Sequence, residues 1–77
     1  MTLNYFMNLL EDHGWDVESD PLCFTNGNAE IHIGFNEYDE EYIEDGALLC
    51  HVTWIKFTRR SMTIFWDDGD SWRYNYW

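Results

Sequence analysis

The hydrophobic period of this chain changes at Gly14. Before it, Leu3, Phe6, Met7 and Leu10 fall on one face of a helix. After it, apolar residues recur at every second position, the period of a half-buried strand. The spacing therefore predicts one helix over residues 2–13 and strands thereafter. Thr2 is placed to serve as N-cap, where its hydroxyl accepts from an amide that the first turn leaves without a partner. Gly14 suits the left-handed position that follows a helix. Glu11 and Asp12 in the last turn oppose the helix dipole, a local cost consistent with a surface that needs acid.

Trp15, Val17 and Glu18 read as a short extended segment, broken by Pro21. Leu22 to Thr25 reads as a strand. Asn26-Gly27 is a strong hairpin signal and predicts a type I′ turn, which needs positive φ at both central residues. The return strand alternates, with Ala29, Ile31, Ile33 and Phe35 on one face and Glu30, His32 and Gly34 on the other. Ala47 to Phe57 reads as a long strand with apolar residues on both faces. It is either a central strand covered on both sides or one with a bulge that switches faces. Met62 to Trp66 and Trp72 to Tyr76 are the last strands, joined by the turn Asp67-Asp68-Gly69-Asp70. The expected fold is α+β: a single domain over residues 1–77, with one N-terminal helix packed on a four- to five-stranded antiparallel meander.

Seventy-seven residues lie near the lower limit for independent folding. Aromatic residues are 19% of the chain, so a small core can still bury a large area. The fifteen aromatics exceed the interior positions available, which places some at the surface or in an interface; Trp54, Trp66, Trp72, Tyr74, Tyr76 and Trp77 suggest a patch on a sheet surface. No run of 18 apolar residues is present, so no membrane-spanning helix is expected. The N-terminus lacks a basic n-region, which reads as a cytoplasmic protein. Cys23 and Cys50 then read as reduced, buried thiols.

Charge bears on function. Fifteen acids stand against four basic residues, a formal net charge of −11. Such a surface repels nucleic acid and anionic membrane and attracts a basic surface. Six of the nine residues from Glu37 to Asp45 are acidic. In an extended chain, alternate carboxylates would stand about 6.6 Å apart, close to the spacing of phosphates along one DNA strand. A helical turn would instead gather Glu37, Glu40, Glu41 and Glu44 on one face. Either arrangement imitates a row of phosphates, whereas a solvated loop is the plainer alternative. Tyr38 and Tyr42 inside the run are candidate anchors within a charged rim. The partner-binding residues expected are therefore Glu37, Tyr38, Asp39, Glu40, Glu41, Tyr42, Glu44 and Asp45. Arg59-Arg60, the only basic pair, reads as a turn or as a clamp on this acid segment.

Other chemistries find little support in the sequence. Cys23, His32, Cys50 and His51 are zinc-ligand types, but their spacing fits no finger or knuckle. Asp67-Asp68-Gly69-Asp70 lacks the register of a calcium loop. No G-x-S-x-G, P-loop or H-E-x-x-H pattern occurs, so neither a cofactor, a metal nor catalysis is expected.

In size, acidity and the acid run Glu37–Asp45, the chain resembles small phage-encoded inhibitors of host defence: anti-CRISPR proteins, anti-restriction proteins and other DNA mimics. The resemblance implies carboxylates seated in a basic channel that otherwise holds DNA or guide RNA. The expected function is thus a non-catalytic inhibitor that occludes the basic nucleic-acid-binding surface of a defence complex. An immunity protein that neutralises a basic nuclease toxin follows from the same physics. A structural or accessory protein that forms a homodimer through an aromatic face is the third reading.

Overall fold

The computed structural model describes residues 1–19, 21–43 and 47–76. Helix α1 spans Leu3–Asp12, as the spacing predicts. The Thr2 hydroxyl accepts from the Tyr5 amide at 3.2 Å, and Gly14 follows the helix with a φ of +87°. Phe6 and Leu10 are fully buried, and Leu3 and Met7 pack against the same core.

Eight strands follow among the described residues. β1 (Asp16–Ser19), β2 (Leu22–Asn26), β3 (Ala29–Phe35), β4 (Glu41–Ile43) and β5 (Ala47–Leu48) form a five-stranded sheet in chain order. A 3₁₀ turn at Leu49–His51 leads into a second sheet of β6 (Val52–Phe57), β7 (Ser61–Trp66) and β8 (Ser71–Asn75). Every paired strand is antiparallel to its neighbour. The α+β meander behind an N-terminal helix is therefore present, and a three-stranded sheet is added to it.

The continuous strand expected over Ala47–Phe57 is broken instead. A single regular strand would turn Leu49 and Val52 to opposite faces, yet both are buried in one core, so the chain leaves the first sheet and starts another. The 3₁₀ turn buries Leu49 completely, and the register slips between Val52 and Trp54. The first hairpin also differs from expectation. Asn26 pairs with Ala29, so Gly27 and Asn28 are the central residues. Only Gly27 has positive φ, at +58°, which is the demand of a type II′ turn rather than I′. The Asn28 amide is held across the fold by the Tyr76 carbonyl at 2.8 Å. Phe35, expected among the inward residues, is 53% exposed where β3 runs past the core. Cys50, expected to be buried, is an exposed thiol, whereas Cys23 is buried as expected.

One apolar cluster joins the helix to both sheets. Phe6 meets Phe24 edge to face at 5.3 Å, and Ile31, Leu49, Met62 and Ile64 fill the centre. At its two ends the helix is tied to the second sheet. The N-terminal ammonium lies 3.4 Å from the carbonyls of Cys50 and Val52, and His13 stacks on Phe57 at 3.6 Å. Trp15 and Tyr76 close the far side, edge to face at 5.6 Å. Burial pushes the Tyr76 phenol above its usual value of 10, and the neighbouring Trp15 indole opposes this in smaller measure.

The break at Leu49–His51 is also a charge boundary. Residues 1–51 contain twelve acids and no lysine or arginine, while residues 52–77 contain four basic residues and three acids. Most of the acids thus precede the second sheet in the chain. Lys56, Arg59, Arg60 and Arg73 all belong to the second sheet and its first turn.

Candidate functional site

Over its described residues, the acid run is neither one extended row nor a helix. Its first half is a tight loop organised by Asn36. The Asn36 side-chain oxygen accepts from the amides of Tyr38 at 2.9 Å and Glu40 at 3.0 Å, and its amide nitrogen donates to the Glu40 carboxylate at 3.2 Å. Asp39 adopts a φ of +60°, a conformation Asp tolerates better than most residues. This closed loop holds Glu37, Tyr38, Asp39 and Glu40 outward, with Tyr38 74% exposed. Glu41 and Tyr42 then enter β4 and are half-buried. Tyr42 lies over Gly34, its cross-strand partner, where a Cβ would fall 2.5 Å from the ring. Its ring thus covers the bare backbone of β3. Glu44 and Asp45, the end of the expected site, lie outside the described residues.

Beside the run, the two sheets diverge and leave a cleft of about 730 Å³. Ile43, Ala47 and Leu48 line one wall; Trp66, Trp72 and Tyr74 line the other. Asp67, Asp68 and Asp70, from the turn between β7 and β8, stand at its edge with His51. These aspartates form the turn that the sequence predicts. Asp68 accepts from the Asp70 amide at 2.9 Å, and the Asp70 carbonyl accepts from the Trp66 amide at 2.9 Å. The fold adds a second consequence by bringing them to the cleft. The Trp66 indole donates to the Leu48 carbonyl at 3.1 Å and His51 pairs with Asp67 at 2.9 Å, which together pin β7 against β5.

Among the described residues, both ion pairs use histidine: His32 with Glu30 and His51 with Asp67. No lysine or arginine there pairs with a carboxylate, and the intramolecular clamp suggested for Arg59-Arg60 does not form among them. The aromatic patch suggested by sequence is divided as well. Tyr74 and Tyr76 are buried and Trp66 is half-buried. Trp72 shares a row with Ile64, whereas Trp54 stacks at 4.4 Å on Phe65, on the opposite face of the second sheet. Trp77 lies outside the described residues.

Among the described residues, no helix is long and apolar enough to cross a membrane. Comparison with protein-family models, with curated proteins and with solved structures finds no match for the chain.

Proposed function

We propose that this chain is a non-catalytic inhibitor that binds and occludes a basic nucleic-acid-binding surface, as phage-encoded inhibitors of defence complexes do. One observation carries the reading. The exposed acids of the Asn36–Glu40 loop and of the Asp67–Asp70 turn lack lysine or arginine partners among the described residues, and the turn borders an apolar cleft. Acids not neutralised from within are available to a cationic partner. Charge of one sign steers the encounter and raises the association rate. An arginine entering the cleft would meet the Trp72 ring and the Asp67–Asp70 carboxylates together, and desolvation there strengthens both contacts. Tyr38 adds apolar contact area at the loop tip. A bound copy then stands where nucleic acid would lie, and no bond need be made or broken.

A homodimer is the second reading, favoured by the Trp54–Phe65 stack, which leaves Trp54 51% exposed on the outer face of the second sheet. An immunity protein against a basic nuclease would use the acidic surfaces described here.

The test is affinity capture from lysate with three baits: the wild-type chain, a loop variant (Glu37→Gln, Asp39→Asn, Glu40→Gln) and a turn variant (Asp67→Asn, Asp68→Asn, Asp70→Asn). The expected result is a nucleic-acid-binding protein retained by wild type, displaced by double-stranded DNA and weakened in both variants. Its binding should also weaken with salt, because the Debye length falls from about 10 Å at 0.1 M to about 3 Å at 1 M. Retention of the same protein by all three baits, unmoved by DNA or salt, overturns the proposal. A salt-insensitive dimer on a sizing column, lost in Trp54→Ser, favours the second reading.

A further inference from the structure

We propose that Cys23, Glu30 and His32 form a Zn²⁺ site on the outer face of the first sheet. The three residues come from two neighbouring strands. Cys23 is the cross-strand partner of His32, and Glu30 precedes His32 by two positions on the same face. Their ligand atoms all lie within 4.8 Å of one another. The Cys23 Sγ is 3.5 Å from Glu30 Oε1, and His32 Nε2 is 3.0 Å from that same oxygen.

These distances are close to the edges of a zinc tetrahedron. With Zn–S near 2.3 Å and Zn–N and Zn–O near 2.0 Å, a sulfur–oxygen edge is about 3.5 Å and a nitrogen–oxygen edge about 3.3 Å. The donors therefore need only small rotations to face a common centre. Thiolate and imidazole together select a borderline-soft ion, which disfavours Ca²⁺ and Mg²⁺. Three protein ligands leave a fourth position for water or for a partner's side chain. Glu18 sits opposite Cys23 on β1, where its carboxylate can serve as the fourth ligand. Cys23 is 5% exposed yet lies outside the apolar core cluster, so its burial is on the polar side of the sheet.

Binding is a ligand exchange. The Cys23 thiol gives its proton to solvent and the sulfur electron pair forms the Zn–S bond. The His32 Nε2 lone pair replaces a zinc-bound water, and Glu30 exchanges its contacts with these two groups for the metal. Uptake therefore releases protons and weakens as pH falls. Linear spacing is blind to register: eight residues lie between Cys23 and His32 in the chain, but the hairpin places them side by side.

The experiment is a Zn²⁺ titration of the reduced full chain in competition with a chromogenic chelator, repeated with Co²⁺ for its thiolate charge-transfer band. One equivalent per chain is expected, together with a raised Tm. Cys23→Ser should abolish the Co²⁺ band and weaken Zn²⁺ by more than the roughly 10- to 100-fold typical of losing an outer-shell contact. Glu30→Gln and His32→Gln, both at exposed positions that fold readily, should each weaken Zn²⁺ at least about tenfold. Cys50→Ser should leave both readouts unchanged. Absence of uptake by wild type overturns the site, as does affinity unaltered in the Glu30 and His32 variants.

Discussion

Replacing Gly27 with alanine tests how the first hairpin is locked to the end of the chain. Two effects combine at this position. The φ of +58° disfavours any L-residue, by about 1–2 kcal/mol. The added Cβ would also fall 2.4 Å from the Tyr76 carbonyl oxygen, a backbone atom that cannot swing aside like a side-chain tip. That oxygen accepts from the Asn28 amide, so moving it loses a hydrogen bond with a net contribution of about 0.5–1.5 kcal/mol. Together Gly27→Ala should destabilise by about 2–3 kcal/mol, which at this chain length lowers Tm by about 10–20 °C. Gly69→Ala is the matched control. Its φ is +92° and nothing lies within 4 Å of a Cβ there, so it carries the backbone term alone. The entropy that alanine removes from the unfolded chain is common to both and cancels in the difference. Urea melts of the two variants and wild type give the comparison, and faster exchange of the Asn28 amide in Gly27→Ala localises the effect. Equal destabilisation by the two variants would refute the close approach of the turn to Tyr76.

Tyr76 gives a pH prediction. Its folded pKa is raised, so the native state keeps a proton that the unfolded state releases near pH 10, and stability falls as pH rises above about 10. Thermal melts from pH 8 to 11 should show this fall, and Tyr76→Phe should reduce it. Asn36→Ala should cost about 1 kcal/mol or less overall, since its bonds are solvent-exposed, but should sharply raise exchange at the Tyr38 and Glu40 amides. Trp66→Phe removes the indole bond to Leu48 between the sheets; a loss of about 1–2 kcal/mol in denaturant melts is expected, with the helix signal retained.

Local features were legible in the sequence and tertiary ones were not. The Thr2 cap, the Leu3–Phe6–Met7–Leu10 face and the Gly14 stop need only neighbouring residues, and each stands where the spacing puts it. The alternation of β3 identifies its inner face as far as Ile33. Apolar residues on both faces of Ala47–Phe57 describe a buried strand, a face-switching bulge and a change of sheet equally well; the register shift between Val52 and Trp54 fits the bulge, and the 3₁₀ break at Leu49–His51 adds the change of sheet. The hairpin type depended on Tyr76, some fifty residues away. The acidity of Glu37–Glu40 was plain in the sequence, but its shape follows from one side chain, Asn36, whose role appears only when the loop is closed. The cleft required β5 and β7 to meet, a contact no periodicity encodes.

The coincidence of the charge boundary with the 3₁₀ turn has an electrostatic consequence for the whole molecule. Twelve of the fifteen acids precede the 3₁₀ turn in the chain, and every lysine and arginine follows it. The protein therefore carries a permanent dipole moment as well as a net charge. A cationic surface exerts a torque on it before contact, turning the first sheet inward and the Trp54 face away. Approach is then partly oriented at distances within the Debye length, which shortens the rotational search that docking would otherwise require. The same torque vanishes in high salt, so association should slow more steeply with ionic strength than net charge alone would give.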